Sequence, residues 1–154
     1  MRAIQDFYPE SYAVCYGCGR LNEYGHQVKS FWEGDTAICH FRPEPFHTAV
    51  AGFTYGGLLA SLIDCHATGT ASIAMAQREN REPGTEPVYR FVTGSLNVRY
   101  EAPTPIDQTL ELRAMVSEIK GRKVVVHVDL YAGDVRTVQG DVIVFQVPEN
   151  MAAV

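Results

Sequence analysis

The sequence lacks an uninterrupted apolar run, a second Cys-x-x-Cys pair and a surplus of basic residues, and each absence removes a class of function. Its most apolar stretch, Thr54 to Gln77, is broken by Ser61, Asp64, His66, Thr68, Gly69, Thr70 and Ser72. A charged group at a bilayer centre is costly, so a buried helix is expected here and no membrane partner. Thirteen Lys and Arg against 18 Asp and Glu give a net charge of -5. Without a basic footprint no nucleic-acid partner is expected, and an anionic ligand would have to be held by a few local cations. Met1 to Asp6 do not form a charged segment followed by an apolar one, which makes cytoplasmic residence and reduced cysteines the expectation. Repeats, low-complexity runs and signs of a second domain are also missing. One domain over 1–154 is expected, with residues 1–26 as loops or a short helix packed on it; a chain of this length buries about two-thirds of its unfolded surface.

The single Cys15-x-x-Cys18 pair is one half of a zinc site and needs two more ligands. Cys39 and His40 are the nearby candidates, but neighbours on a strand point to opposite faces. No metal is therefore expected, and Cys65, inside the apolar helix, reads as a small core residue. A redox role for the pair lacks the strand-to-helix context it would need.

What is present divides by period. Gln27 to Trp32 and Thr36 to Phe41 flank Glu33-Gly34-Asp35, a three-residue hairpin loop. Residues 78–88 are charged and rich in turn formers, so they end the helix as a surface loop. From Val92 to Tyr100 the even positions are mainly apolar, which predicts a half-buried antiparallel strand. Leu110, Leu112, Ala114 and Val116 repeat the alternation, as do Val124, Val126, Val128 and Leu130, with a last strand from Val135 to Val147. A hairpin, a long helix and three or four further strands make an α+β fold: a curved antiparallel sheet of five to six strands wrapped on one helix.

Two features of that helix carry chemistry. It opens on Gly56-Gly57, where unpaired amides and a partial positive charge can polarise a carbonyl and hold an oxyanion. Those glycines could equally serve only to ease a tight turn. Two turns later comes Asp64, a carboxylate that must be paired or used; it could act as general base on water, as a nucleophile, or as a bonded structural group. Seven residues of helix separate Gly57 from Asp64, about 10 Å of rise. Groups serving one carbonyl must lie within about 3.5 Å. If both take part, Asp64 of one subunit meets Gly57 of another. His66 is expected to be a satisfied core histidine, and His47, in the loop before the helix, could bind substrate or fix that loop.

The chain resembles the hot-dog fold acyl-CoA thioesterases, in the branch that includes the phenylacetate-pathway enzymes. The resemblance rests on Cys15-Tyr16-Gly17-Cys18-Gly19, on His47 followed by Gly52-Phe53-Thr54-Tyr55-Gly56-Gly57 and Asp64, and on Val92 to Pro103. It implies hydrolysis of an acyl-CoA to free acid and CoA by Asp64 and the Gly57 amide, helped by Thr93, with CoA entering as part of the substrate and no separate cofactor. It implies side-by-side helices in a dimer or a dimer of dimers, with the sites between subunits. Substrate contacts would come from Tyr55, Gly56 and His47, and the phosphates of CoA could meet Arg122 and Lys123. Two departures stand out: Tyr55 replaces the family's usual His before the glycines, and no Asn occurs between His47 and Gly57. They leave open a non-catalytic acyl-CoA or small-ligand binder. The same Tyr55 weighs against a hydratase or dehydratase.

Overall fold

The computed structural model describes residues 1–148; the expected domain runs on through residues 149–154, which lie outside the described residues. Two 3-10 turns, Ile4–Phe7 and Glu10–Tyr12, precede β1 (Ser30–Glu33) and β2 (Thr36–Phe41), after which come α1 (Gly56–Arg78), β3 (Phe91–Tyr100), β4 (Leu110–Lys120), β5 (Lys123–Ala132) and β6 (Val135–Gln146). All six strands join one antiparallel sheet in the order β1-β2-β4-β5-β6-β3. The first hairpin turns on two residues, since Glu33 pairs directly with Thr36. Gly34, at φ +70°, supplies the left-handed conformation such a tight loop needs, and so shortens the expected three-residue connection.

Alternation in the central strands is that of a sheet with one covered face. Leu110, Leu112 and Ala114, Val124, Val126, Val128 and Leu130, and Val138, Val142 and Val144 are all fully buried. They pack on α1, which is buried all round from Cys65 to Ala76. By length and composition α1 could cross a bilayer, but 83% of its most apolar window is buried inside the fold. A helix without a polar face needs cover on every side, and sheet and N-terminal segment together provide it.

β3 departs from the sequence expectation. Its residues Val92 to Asn97 are exposed rather than half-buried, Val92 by 44% and Leu96 by 39%. It is the last strand of the sheet, so one of its edges has no partner among the described residues. It also carries a bulge at Gly94: Thr93 pairs with Val144, while Ser95 pairs with Ile143. One extra residue inverts the alternation. Before the bulge the odd positions, Phe91 and Thr93, face the helix side; after it Leu96 and Val98 do.

Beneath the N-terminal turns lies a closed polar chain. Gln5 Nε2 donates to Ser30 Oγ at 3.0 Å, and Gln5 Oε1 accepts from Ser30 N–H at 2.8 Å. Ser30 Oγ lies 2.8 Å from His66 Nδ1, and His66 Nε2 is 2.9 Å from the Ala37 carbonyl. Since a carbonyl only accepts, Nε2 carries the proton and Nδ1 accepts from Ser30. His66 is thus the satisfied core histidine expected, and burial pushes its pKa down from 6.5 to about 4. Unfolded chains bind this proton from about pH 6.5, whereas the folded chain refuses it until about pH 4. Stability therefore falls as pH drops through that window, by roughly 3 kcal/mol in all. Urea unfolding as a function of pH should show this slope in the wild type and lose it in His66→Gln; an unchanged slope in the variant would assign the acid loss elsewhere.

Candidate active site

Asp64 is half-buried rather than enclosed, because α1 passes it close to the exposed end of the sheet at β3. Thr93 Oγ1 donates a short hydrogen bond to Asp64 Oδ1. The bulge makes this contact possible: with regular pairing from Leu96 back, Thr93 would point away from the helix. Sequence periodicity assigned the inward face to the even positions and missed this inversion, for which Gly94 inside a strand pattern was the available signal.

At the other end of the same helix segment, the chain enters α1 through Tyr55. Its N–H donates to the His47 carbonyl at 2.8 Å, and its own carbonyl accepts from Leu58 and Leu59 at 3.1 and 3.3 Å. The amides of Gly56 and Gly57 have no acceptor among the described residues, so they are the free donors of the helix start. Tyr100 Oη donates to the Gly56 carbonyl at 2.7 Å, and Ser61 Oγ to that of Gly57 at 2.9 Å. Neither Tyr100 nor Ser61 was singled out from the sequence, where each reads as an ordinary polar position. The Tyr55 ring folds back over Gly57 so closely that a Cβ there would lie 2.6 Å from it.

Two cavities flank the helix start. One, of about 580 Å³, is lined by Val50, Phe53, Gly56, Leu59, Tyr100 and Pro103 and is mainly apolar. The other, of about 410 Å³, is lined by Tyr16, His26, His47, Tyr55, Gly57 and Ser61. Neither includes Asp64 or Thr93. Within one chain the structure unites Asp64 with Thr93, and Gly57 with Tyr55 and His47, but it does not bring the two groups together.

His47 is held by its loop: Nδ1 accepts from Glu44 N–H at 2.9 Å, and its ring packs against those of Phe46 and His26 at centroid distances of 4.7 and 5.6 Å. Burial, and then the neighbouring His47, lower the pKa of His26. Arg122 and Lys123 lie at the β4–β5 turn. Lys123 pairs with Phe145, which pairs in turn with Val92. That places the turn at the Thr93 end of the sheet, about 10 Å away across two strand spacings.

The cysteines follow the sequence expectation in burial but not in the company they keep. Cys39 is fully buried within β2, while His40 is exposed and lies 3.1 Å from Glu111; as strand neighbours they diverge, as expected. Cys65 is the buried core residue expected, and in addition it meets the N-terminal pair: the sulfurs of Cys15, Cys18 and Cys65 all lie within 4.8 Å of one another.

A model of the thioesterase superfamily matches residues 51–139, which contain the helix, Asp64 and Thr93. The fold superposes on a thioesterase superfamily protein from Shewanella loihica PV-4 with a TM-score of 0.69 and 42% identity, covering 92% of this chain and 100% of that one. Acyl-coenzyme A thioesterase THEM4 of Xenopus laevis is 30% identical over 87 residues, 56% of this chain; the chain spans only 33% of that protein's length. The PaaI protein of the phenylacetic acid degradation operon of Escherichia coli shares the fold, with a TM-score of 0.64 at 11% identity over 80% of this chain and 81% of that one.

Proposed function

Since the chain belongs to the thioesterase superfamily and has its hot-dog fold, we propose that it hydrolyses an acyl-CoA thioester at a site shared by two copies of the chain. The observation that carries this reading is the Asp64–Thr93 pair, set beside an exposed β3 edge that has no partner among the described residues. A second copy joined along β3 would cover Val92, Leu96 and Phe145, which one chain leaves 39–44% exposed. It would also bring its own helix start toward Asp64, so that each dimer has two sites. A dimer of dimers would repeat the same contact.

Chemistry then follows from the groups present. Asp64, oriented by Thr93, takes a proton from water as the water oxygen bonds to the thioester carbon. The oxyanion is held by the free Gly57 amide of the other copy. Collapse breaks the C–S bond, and the departing CoA thiolate recovers the proton from Asp64. No cofactor is needed for any step. The apolar cavity beside Gly56 suits an acyl chain, while Tyr55, Gly56 and His47 border the thioester. Arg122 and Lys123 are the cations offered to the phosphates of CoA.

A second reading is favoured by one observation: the Tyr55 ring lies over Gly57, where the donor would have to be reached. In a binder without turnover that ring would stay in place. Mixing two inactive variants separates the readings. Asp64→Asn and Gly57→Pro, the latter lacking the N–H, should each lose hydrolysis across an acyl-CoA panel, and equal mixing should restore about a quarter of wild-type activity, one intact site in half of the dimers. No recovery on mixing would reject the shared site, and tight binding without turnover by the wild type would establish the binder.

A further inference from the structure

We infer that Cys15, Cys18 and Cys65 form a thiolate site for a zinc ion, which fastens the N-terminal segment to the central helix. Tetrahedral zinc at about 2.3 Å from each sulfur sets its ligands about 3.8 Å apart. Cys15 Sγ and Cys65 Sγ are 3.9 Å apart, and the third sulfur lies within 4.8 Å of both. A disulfide would require about 2.05 Å between two sulfurs and would leave the third unused. The spacing fits ligands around an ion, and equally allows a thiol hydrogen bond between Cys15 and Cys65.

The loop around the pair is shaped for this. Gly19 N–H donates to the Cys15 carbonyl at 2.8 Å and Val28 N–H to that of Gly17 at 3.0 Å, which fixes the turn that carries the pair. A Cβ at Gly17 would collide with Cys65 Sγ, so glycine lets the loop sit directly on the helix. Three thiolates and a dication leave one negative charge, which a cation such as Arg90 would offset. Its guanidinium lies 5.1 Å over the Tyr8 ring and donates to the Phe91 carbonyl at 3.0 Å, with no carboxylate partner among the described residues. Tyr8 Oη is buried without a hydrogen-bond partner among the described residues. Sulfur ligands select zinc and other thiophilic ions over magnesium or calcium.

The sequence pointed away from a metal because it offered Cys39 and His40 as the remaining ligands. The third sulfur comes instead from α1, one residue past Asp64, independently of whether Asp64 is catalytic. The test is elemental analysis of the whole chain after growth with zinc, combined with thermal unfolding. About one zinc per chain is expected, and its removal by a chelator should lower Tm by roughly 10 °C. Cobalt refilling should give sulfur-to-cobalt charge-transfer absorption. Cys39→Ala should keep the ion, whereas Cys15→Ser and Cys65→Ser should lose it. Cys15 is half-exposed, so its variant serves if Cys65→Ser does not fold. Failure to bind added zinc, retention of zinc by Cys15→Ser, or a cobalt spectrum without sulfur bands would each overturn the site.

Discussion

Replacing Asp64 with Asn is expected to lower kcat/KM for acyl-CoA hydrolysis by about a thousandfold, the middle to upper range for loss of a positioned general base. Asn keeps the size of the side chain, and its Oδ1 can still accept the bond from Thr93 Oγ1. What it loses is the negative charge and the basicity of the second oxygen. Asp64 is half-buried and has no ion-pair partner among the described residues, so its removal leaves no stranded cation. Tm should then move by no more than a few degrees, and affinity for a non-hydrolysable acyl-CoA analogue should be retained. This combination separates a chemical role from a structural one: a buried bonded carboxylate would reverse the pattern, with little change in rate and a large drop in Tm. General base and nucleophile both predict the loss of rate. Single turnover in 18O-water labels Asp64 only if it forms an acyl anhydride that water opens at the Asp64 carbonyl, and rapid-quench detection of the anhydride covers opening at the acyl carbonyl. A variant as active as the wild type would remove Asp64 from the mechanism.

How far sequence alone reaches is clear from particular residues. The inward positions of β4 and β5 were legible because period-two alternation is imposed by the pleat and survives any choice of partner. Gly56-Gly57 and Asp64 were legible for a similar reason, since a helix fixes their separation. Val92 was misassigned because alternation is local while a bulge is not: Gly94 shifts parity only in relation to Val144 and Ile143 on the neighbouring strand. Burial of Cys65 was legible, but its meeting with Cys15 and Cys18 was not, because those partners lie 50 and 47 positions earlier and nothing in a helix pattern shows which face an N-terminal loop will cover. Tyr55 shows a third kind of limit. Its position as the residue before the helix was plain, but its ring could turn toward solvent or over Gly57, and only packing selects between rotamers.

A close approach between helix and sheet lies next to the catalytic candidate, and it leads to a sign reversal in stability. Gly140 is on the inner face of β6, paired with Val98 and Val128. A Cβ there would stand 2.7 Å from Ile63 Cγ2, about 1 Å inside ordinary carbon contact. Ile63 is fully buried, so it cannot swing into solvent, and the helix must shift instead. Gly140→Ala should therefore destabilise the wild type by about 2 kcal/mol, roughly 6 °C in Tm. Because Ile63 precedes Asp64, the same shift should move Asp64 away from Thr93 and lower activity as well. Ile63→Ala alone opens a cavity and should cost about 3 kcal/mol. In that background the added methyl of Gly140→Ala occupies space the isoleucine has left, so it should raise Tm rather than lower it. Coupling of this kind is expected only between groups in direct contact. Additive losses across the four proteins would mean that helix and sheet do not meet at Ile63 and Gly140, and would undo the placement of Asp64 that depends on that contact.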